Sequence, residues 1–250
     1  MSRLSYTLAG PIGTRGTLGL VVLQVDETVE QDFRRLFPVE VALHVTRVPS
    51  GADLTPDSIA TMETTLPRVA ALLALAADFG AVGYACTSGT TLIGAERVAA
   101  LVQGACAARA VTDPLTAAIA ALRALEARSV AIVSPYIETV AQPIRRAFEA
   151  EGFGVPAALS FGEAAEARVA RIDPAALRGG ARTAAAAGAD AIFLSCTNLR
   201  TLDVIDGLER ELCCPVLSSN LTLAWHMAQL SGAPLSPAAP GRLSRIAAPG

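Results

Sequence analysis

Short runs rich in β-branched and other apolar residues recur along the chain, each followed by a longer stretch of helical character. LGLVVLQV precedes EQDFRRLF, AVGYAC precedes AERVAALV, SVAIVSP precedes AQPIRRAFEAEG, and ADAIFLSC precedes TLDVIDGLEREL. Strands alternating with helices at this spacing predict right-handed βαβ units and a buried parallel sheet. Alanine-rich stretches such as ARTAAAAGAD suit helices packed closely on that sheet. The segment APLSPAAPGRLSRIAAPG, residues 233–250, is rich in Pro, Ala and Gly without apolar periodicity and predicts a flexible tail.

The pattern also repeats. Aligning LVVLQVDETVEQDF with VAIVSPYIETVAQPI superposes Glu27-Thr28-Val29-x-Gln31 on Glu138-Thr139-Val140-x-Gln142. Aligning GAVGYACTSGTTLIG with GADAIFLSCTNLRTL places Cys86-Thr87 on Cys196-Thr197, about 110 residues apart. The following segments, RAVTDPLTAAIAAL and CPVLSSNLTLAWHM, correspond more loosely. The fold class predicted is α/β, two similar parallel-sheet halves related by internal duplication and a pseudo-two-fold axis. Residues 1–120 form the first half and 121–232 the second, with the C-terminal helix returning to the first half.

Each matched segment lies where a strand ends and a helix begins, the place where open parallel sheets present ligand sites. If the halves pack with their strand ends facing, both Cys-Thr loops approach one cleft. A thiol at such a turn lies near unpaired helix N-terminal N–H groups, which predicts a pKa lowered from about 8.5 toward neutrality. One thiolate can then remove a proton beside a carboxylate, or add to an activated alkene, while the opposite thiol delivers a proton from the other face. Thr87, Ser88, Gly89 and Thr90, with Thr197 and Asn198, supply hydroxyl, amide and backbone donors for a substrate carboxylate. A single buried cysteine at a strand end is more often a small core residue than a catalyst. Two at duplicated positions, each followed by polar donors, favour chemistry. Cys106, Cys213 and Cys214 lack such loops and read as structural, as do the isolated His44 and His226. Glu27 and Glu138 read as carboxylates at helix N-termini.

Composition narrows the choice. With 250 residues and 52% hydrophobic content the chain can bury a large core. Its net charge of −3 and scattered cations offer nucleic acid no basic stripe. Five cysteines without C-x-x-C spacing and only two histidines argue against a zinc site, and the scheme needs neither metal nor cofactor. No segment reaches the roughly 18 uninterrupted apolar residues of a membrane span, and the N-terminus does not read as a leader. A soluble cytoplasmic protein is predicted, in which free thiols stay reduced.

ACTSGT and LSCTNLRT, in that order, resemble the maleate cis–trans isomerase and arylmalonate decarboxylase branch of the aspartate/glutamate racemase superfamily. More narrowly, VVLQVDETVEQDFRRLFP and SFGEAAEARVARIDP are similar to the EutA proteins associated with ectoine utilisation. The resemblance implies the racemase-type two-half fold, a homo-oligomer (dimer or higher), and catalysis by Cys86 and Cys196, the first adding to the alkene and the second donating a proton. It also implies that Tyr136 hydrogen-bonds a substrate carboxylate. Arylmalonate decarboxylases are expected to keep only the second cysteine, so the presence of both points to an isomerase or racemase.

Two departures bear on the substrate. Maleate isomerases carry asparagines where this chain has Asp26 and, after SFG, Glu163 or Glu166. Carboxylates there repel a dianion by several kcal/mol at about 4 Å and intermediate dielectric. The ligand implied is therefore a small carboxylate that also bears a positive amino group, such as an ectoine-derived amino acid, with Asp26 as its partner and Glu166 beside it. Maleate isomerase proper is the enzymatic alternative. A ligand-binding protein that kept the fold without turnover is the alternative of another class.

Overall fold

The four apolar runs become the central strands of two sheets. The structure, a computed structural model, describes residues 3–51 and 56–246, the side chains of 56–60 excepted. The first half runs β1 (Thr17–Leu23), α1 (Val29–Leu36), β2 (Ala42–Val48), α2 (Pro56–Ala70), β3 (Ala81–Ala85), α3 (Thr87–Ile93), α4 (Ala95–Gln103), β4 (Val111–Thr112) and α5 (Pro114–Ala124). The second runs β5 (Val130–Ser134), α6 (Glu138–Ala150), β6 (Ala158–Ser160), α7 (Glu166–Val169), α8 (Pro174–Ala185), β7 (Ala191–Leu194), α9 (Leu202–Leu212), β8 (Val216–Ser218) and α10 (Ser219–Ser231). The strand orders, β2-β1-β3-β4 and β6-β5-β7-β8, are the same order twice, and every pairing is parallel. The chain thus has an α/β fold with two four-stranded parallel sheets.

Burial explains the runs. In β3, β5 and β7 every residue is buried, because the strand is paired on both edges and helices cover both faces. The edge strand β6 is exposed at both ends. The helices that follow the last strand of each half start alike: Asp113 caps α5 by accepting from Leu115 N and Thr116 N, and Ser218 caps α10 by accepting from Leu221 N.

Helix α10 crosses to the first half and packs on β3, α5 and α1. Gly83 of β3 admits it, since a Cβ there would stand 2.6 Å from the Met227 sulfur. The segment from 233, expected to be a flexible tail, is instead a packed strap as far as Ile246. Leu243 is fully buried, Ser236 N donates to Leu36 O at 2.7 Å, and Gly241 N and Arg242 N donate to the carboxylates of Asp206 and Glu209 at 2.8 and 2.9 Å. Side-chain carboxylates of α9 satisfy its backbone donors in place of a regular ladder, an arrangement without a sequence period. Residues 247–250 lie outside the described residues.

Candidate active site

Both Cys-Thr loops leave the C-terminal ends of central strands, β3 and β7, and meet. Thr197 Oγ1 donates across the halves to Ala85 O at 3.3 Å. Ser219, the first residue of α10, accepts from Cys196 N at 3.0 Å and shares a 2.9 Å hydrogen bond with Thr87 Oγ1. One hydroxyl on the crossing helix therefore ties one cysteine's backbone to the other cysteine's neighbour. The cysteines are nearly closed off from solvent, at 2% and 3% exposure.

Cys86 occupies the N-cap position of α3 with extended backbone, and its Sγ accepts from Gly89 N at 3.1 Å with Ser88 Oγ at 3.7 Å. Gly89 must lack a Cβ to deliver that N–H: a methyl there would lie 2.7 Å from Tyr84 Oη and 2.8 Å from Cys86 Sγ. Cys196 Sγ accepts only a longer bond, 3.4 Å, from Asn198 N, with the buried Tyr136 beside it.

The expectation of near-neutral thiols does not hold. Burial pushes Cys86 up to about 11 despite its Ser88 and Gly89 donors, and burial followed by the charge of Glu166 pushes Cys196 well above the usual thiol range. Desolvating a thiolate this completely costs more than nearby N–H groups return; at Cys86 these belong to the short α3, whereas at Cys196, against expectation, no helix starts before Leu202.

Two acids share the site. Asp26 is buried; its Oδ1 accepts from Thr28 N and Val29 N, both at 2.8 Å, while Oδ2 lies beside the Thr197 hydroxyl with no hydrogen bond of good geometry among the described residues. Burial raises its carboxyl. The nearest cation, Arg47, directs Nη1 to the carbonyls of Leu23, Gln24 and Asp26 and Nη2 to Glu30, not to the Asp26 carboxylate. Glu166, at the start of α7, is buried and raised to about 7, first by burial and, against its Asn198 hydrogen bond, also by the charge of Asp26. Glu163 is the other candidate of that segment; it is only half-buried, pairs with Arg168 at 2.8 Å and caps the turn before α7.

Asn198, expected to hold substrate, is occupied by the protein. Its Nδ2 donates to Glu166 Oε2 at 2.8 Å and Glu166 O at 3.1 Å, and its Oδ1 accepts from Glu27 N at 2.9 Å. It ties the Asp26 loop of one half to the Glu166 segment of the other, which uses both of its N–H groups. The remaining predicted residues, Thr87, Ser88, Gly89, Tyr136 and Thr197, are gathered around the thiols. Sequence reasoning missed Tyr84 and Ser219. Ser219 follows the Ser218 cap in the loosely repeated third segment, and Tyr84 stands two residues before Cys86 on the same strand; those positions were the available signals. A deeper support was also missed: Asn220 Nδ2 donates to Asp32 Oδ2 and to Thr197 O, both at 2.8 Å, and burial raises Asp32 to about 7. Among the described residues no three His, Cys, Asp or Glu side chains gather as metal ligands, and no helix is long and apolar enough to cross a membrane.

Comparison with known proteins agrees with this architecture. Residues 50–244 match the family model described as arylmalonate decarboxylase. The maleate isomerase of Nocardia farcinica is 28% identical over 241 residues, 91% of this chain and 95% of its own. The arylmalonate decarboxylase of Bordetella bronchiseptica is 40% identical over 124 residues, 48% of this chain and 51% of its own. Among solved structures, a cysteine-to-serine mutant of the Nocardia farcinica maleate cis–trans isomerase with a covalently bound succinylcysteine intermediate superposes with a TM-score of 0.83 at 27% identity. It covers 92% of this chain and 98% of its own.

Proposed function

The chain belongs to the arylmalonate decarboxylase family, and from that premise we propose that it is a cofactor-independent isomerase or racemase working through Cys86 and Cys196 on a small carboxylate that bears a positive amino group. The observation that carries this reading is the convergence of two duplicated Cys-Thr loops on one Ser219 hydroxyl, beside two buried carboxyls that no cation pairs among the described residues. In a racemisation the Cys86 thiolate takes the proton on the carbon next to the carboxylate, and the C–H electron pair enters the carboxylate as an enediolate. The Cys196 thiol then protonates the opposite face, leaving Cys86 as thiol and Cys196 as thiolate. In a cis–trans isomerisation the Cys86 thiolate adds to one alkene carbon and the π pair enters the adjacent carboxylate as an enediolate; rotation about the resulting single bond follows, and the pair returns to re-form the alkene as the C–S bond breaks and the thiolate leaves. A covalently bound succinylcysteine intermediate is present in the structure of the Nocardia relative. All 20 cationic side chains are arginine, so the chain offers no lysine on which pyridoxal phosphate could be mounted, consistent with thiol-only chemistry.

Asp26 is the partner we assign to the amino group, because its Oδ2 is buried beside the Thr197 hydroxyl with no hydrogen bond of good geometry among the described residues. The likeness to EutA proteins supports an ectoine-derived amino acid as substrate. Maleate isomerase proper is the second reading, favoured by the near full-length likeness to that enzyme and by burial, which keeps Glu166 protonated up to about pH 7 and softens its repulsion of a dianion.

The test is proton exchange followed by NMR in D₂O, with maleate and a panel of ectoine-pathway amino acids as substrates. Wild type should label or isomerise a zwitterionic member, and Cys86→Ala and Cys196→Ala should each lose at least about 10²-fold of that rate. A KM for maleate below that of every zwitterion would overturn the amino-group assignment. Silence from wild type across the panel would favour a binding protein.

A further inference from the structure

Tyr84 is fully buried, and its hydroxyl has no hydrogen-bond partner of good geometry among the described residues. Buried hydroxyls are nearly always paired, so an unpaired one calls for an explanation. The ring stands on β3 two residues before Cys86, and strand positions i and i+2 project to the same face. The Cβ position of Gly89 lies 2.7 Å from Tyr84 Oη and 2.8 Å from Cys86 Sγ, so hydroxyl and thiol flank the same point. The repeat does not explain the residue: the duplicated position carries Leu194. Cys196 has its own tyrosine, Tyr136, which comes from a different loop.

We propose that Tyr84 is a positioning residue for Cys86: its Oη–H, idle while Cys86 is a thiol, donates to Sγ when Cys86 becomes a thiolate. The proposal rests on the reading that Cys86 is one of two working thiols. A neutral sulfur is a weak acceptor and a thiolate a strong one, so a donor that gains its bond only on ionisation favours the ionised form. Gly89 N and Ser88 Oγ also face the sulfur and favour its ionised form more strongly; Tyr84 adds to them. No proton moves in this step. Burial, with the neighbouring Cys86 charge, holds the Tyr84 phenol well above its ordinary range, so the phenol remains the donor.

The experiment is alkylation of Cys86 by iodoacetamide across pH, read by peptide mass spectrometry in a Cys196→Ala background with and without Tyr84→Phe. The expected result is a rise of about one unit in the apparent pKa of Cys86, seen as about tenfold slower alkylation at fixed pH below both values. In a Cys86→Ala background the Cys196 profile should be the same with Tyr84 and with Phe. An unchanged Cys86 profile in folded Tyr84→Phe overturns the proposal, and so does an equal shift at both cysteines. If the phenylalanine variant does not fold, a ring-fluorinated tyrosine at 84, a stronger donor, should move the Cys86 profile the opposite way; no movement overturns the proposal. Alkylation needs no substrate. A shifted profile combined with undiminished proton exchange in the Cys86→Ala variant would sink the two-thiol reading while leaving the Tyr84 contact standing.

Discussion

Cys86 and Cys196 occupy duplicated positions, yet their loops diverge after the shared threonine, most consequentially three residues on. In the first loop that position is Gly89, whose N–H reaches back to the Cys86 sulfur at 3.1 Å. In the second it is Leu199, fully buried, whose N–H goes instead to the Cys196 carbonyl at 3.4 Å. The first thiol accepts from Gly89 N and lies 3.7 Å from Ser88 Oγ, with the Tyr84 ring beside it. The second has one long backbone donor from Asn198 with Tyr136 beside it, and the charge of Glu166 follows burial among the influences that raise it. The duplicated loops thus surround their sulfurs unequally, and the proposed two-faced proton transfer would draw on such a difference.

The sharpest way to break this asymmetry is Gly89→Ala. The new methyl would collide with both Tyr84 Oη and Cys86 Sγ, and the sulfur would have to leave its donors. Displacing a reacting atom by about 1 Å costs on the order of 10²-fold in rate, so turnover should fall by about that factor while Cys196 keeps its alkylation profile. Retained turnover would show that the Gly89 N–H is not needed by the working thiol.

Glu166→Gln tests the other side of the comparison. The Glu166 carboxyl is raised from 4.5 to about 7 in the folded chain, so the native state binds its proton more tightly than the unfolded state does. The stability associated with this group is full below about pH 4.5 and is lost as pH rises through about 7, by up to about 3 kcal/mol. Urea unfolding at about pH 5 and about pH 8 should show a smaller loss for Glu166→Gln than for wild type, with the remainder carried by the other buried carboxyls that burial raises, Asp26, Asp32 and Asp113. The same substitution removes a negative charge that weighs more on Cys196 than on Cys86, so the two alkylation profiles should draw closer. Equal slopes for variant and wild type would mean that Glu166 ionises as freely in the fold as outside it.

What the sequence revealed and what it hid follow from the same physics. Strands β1, β3, β5 and β7 were legible because each is paired on both sides and must be apolar throughout, which leaves a continuous run. At the sheet edges β4 is only two residues long and β6 is short and exposed at both ends, so neither leaves one. The Cys-Thr loops stood out through repetition alone. Burial did not, and so the thiols were expected near neutrality when desolvation sends them upward. Asn198 has the composition of a substrate donor, and only tertiary contact shows its amide already committed to Glu166 and Glu27. The strap from 233 to 246 lacked a period because carboxylates on α9, and not a ladder, hold its backbone.

Ser219 measures how closely the two unequal loops depend on each other. Its hydroxyl is the one group bonded both to the backbone of Cys196 and to the side chain of Thr87. Ser219→Ala leaves a buried N–H and a buried hydroxyl without their partner, which should cost about 1–2 kcal/mol in urea unfolding. Thr87→Val removes one of the two bonds and should cost less. If the hydroxyl only fills space, the two changes will add in the double variant. If it couples the loops, the double variant will fall short of the sum by at least about 0.5 kcal/mol, and turnover will show the same shortfall, since each thiol then relies on the other's loop for its place.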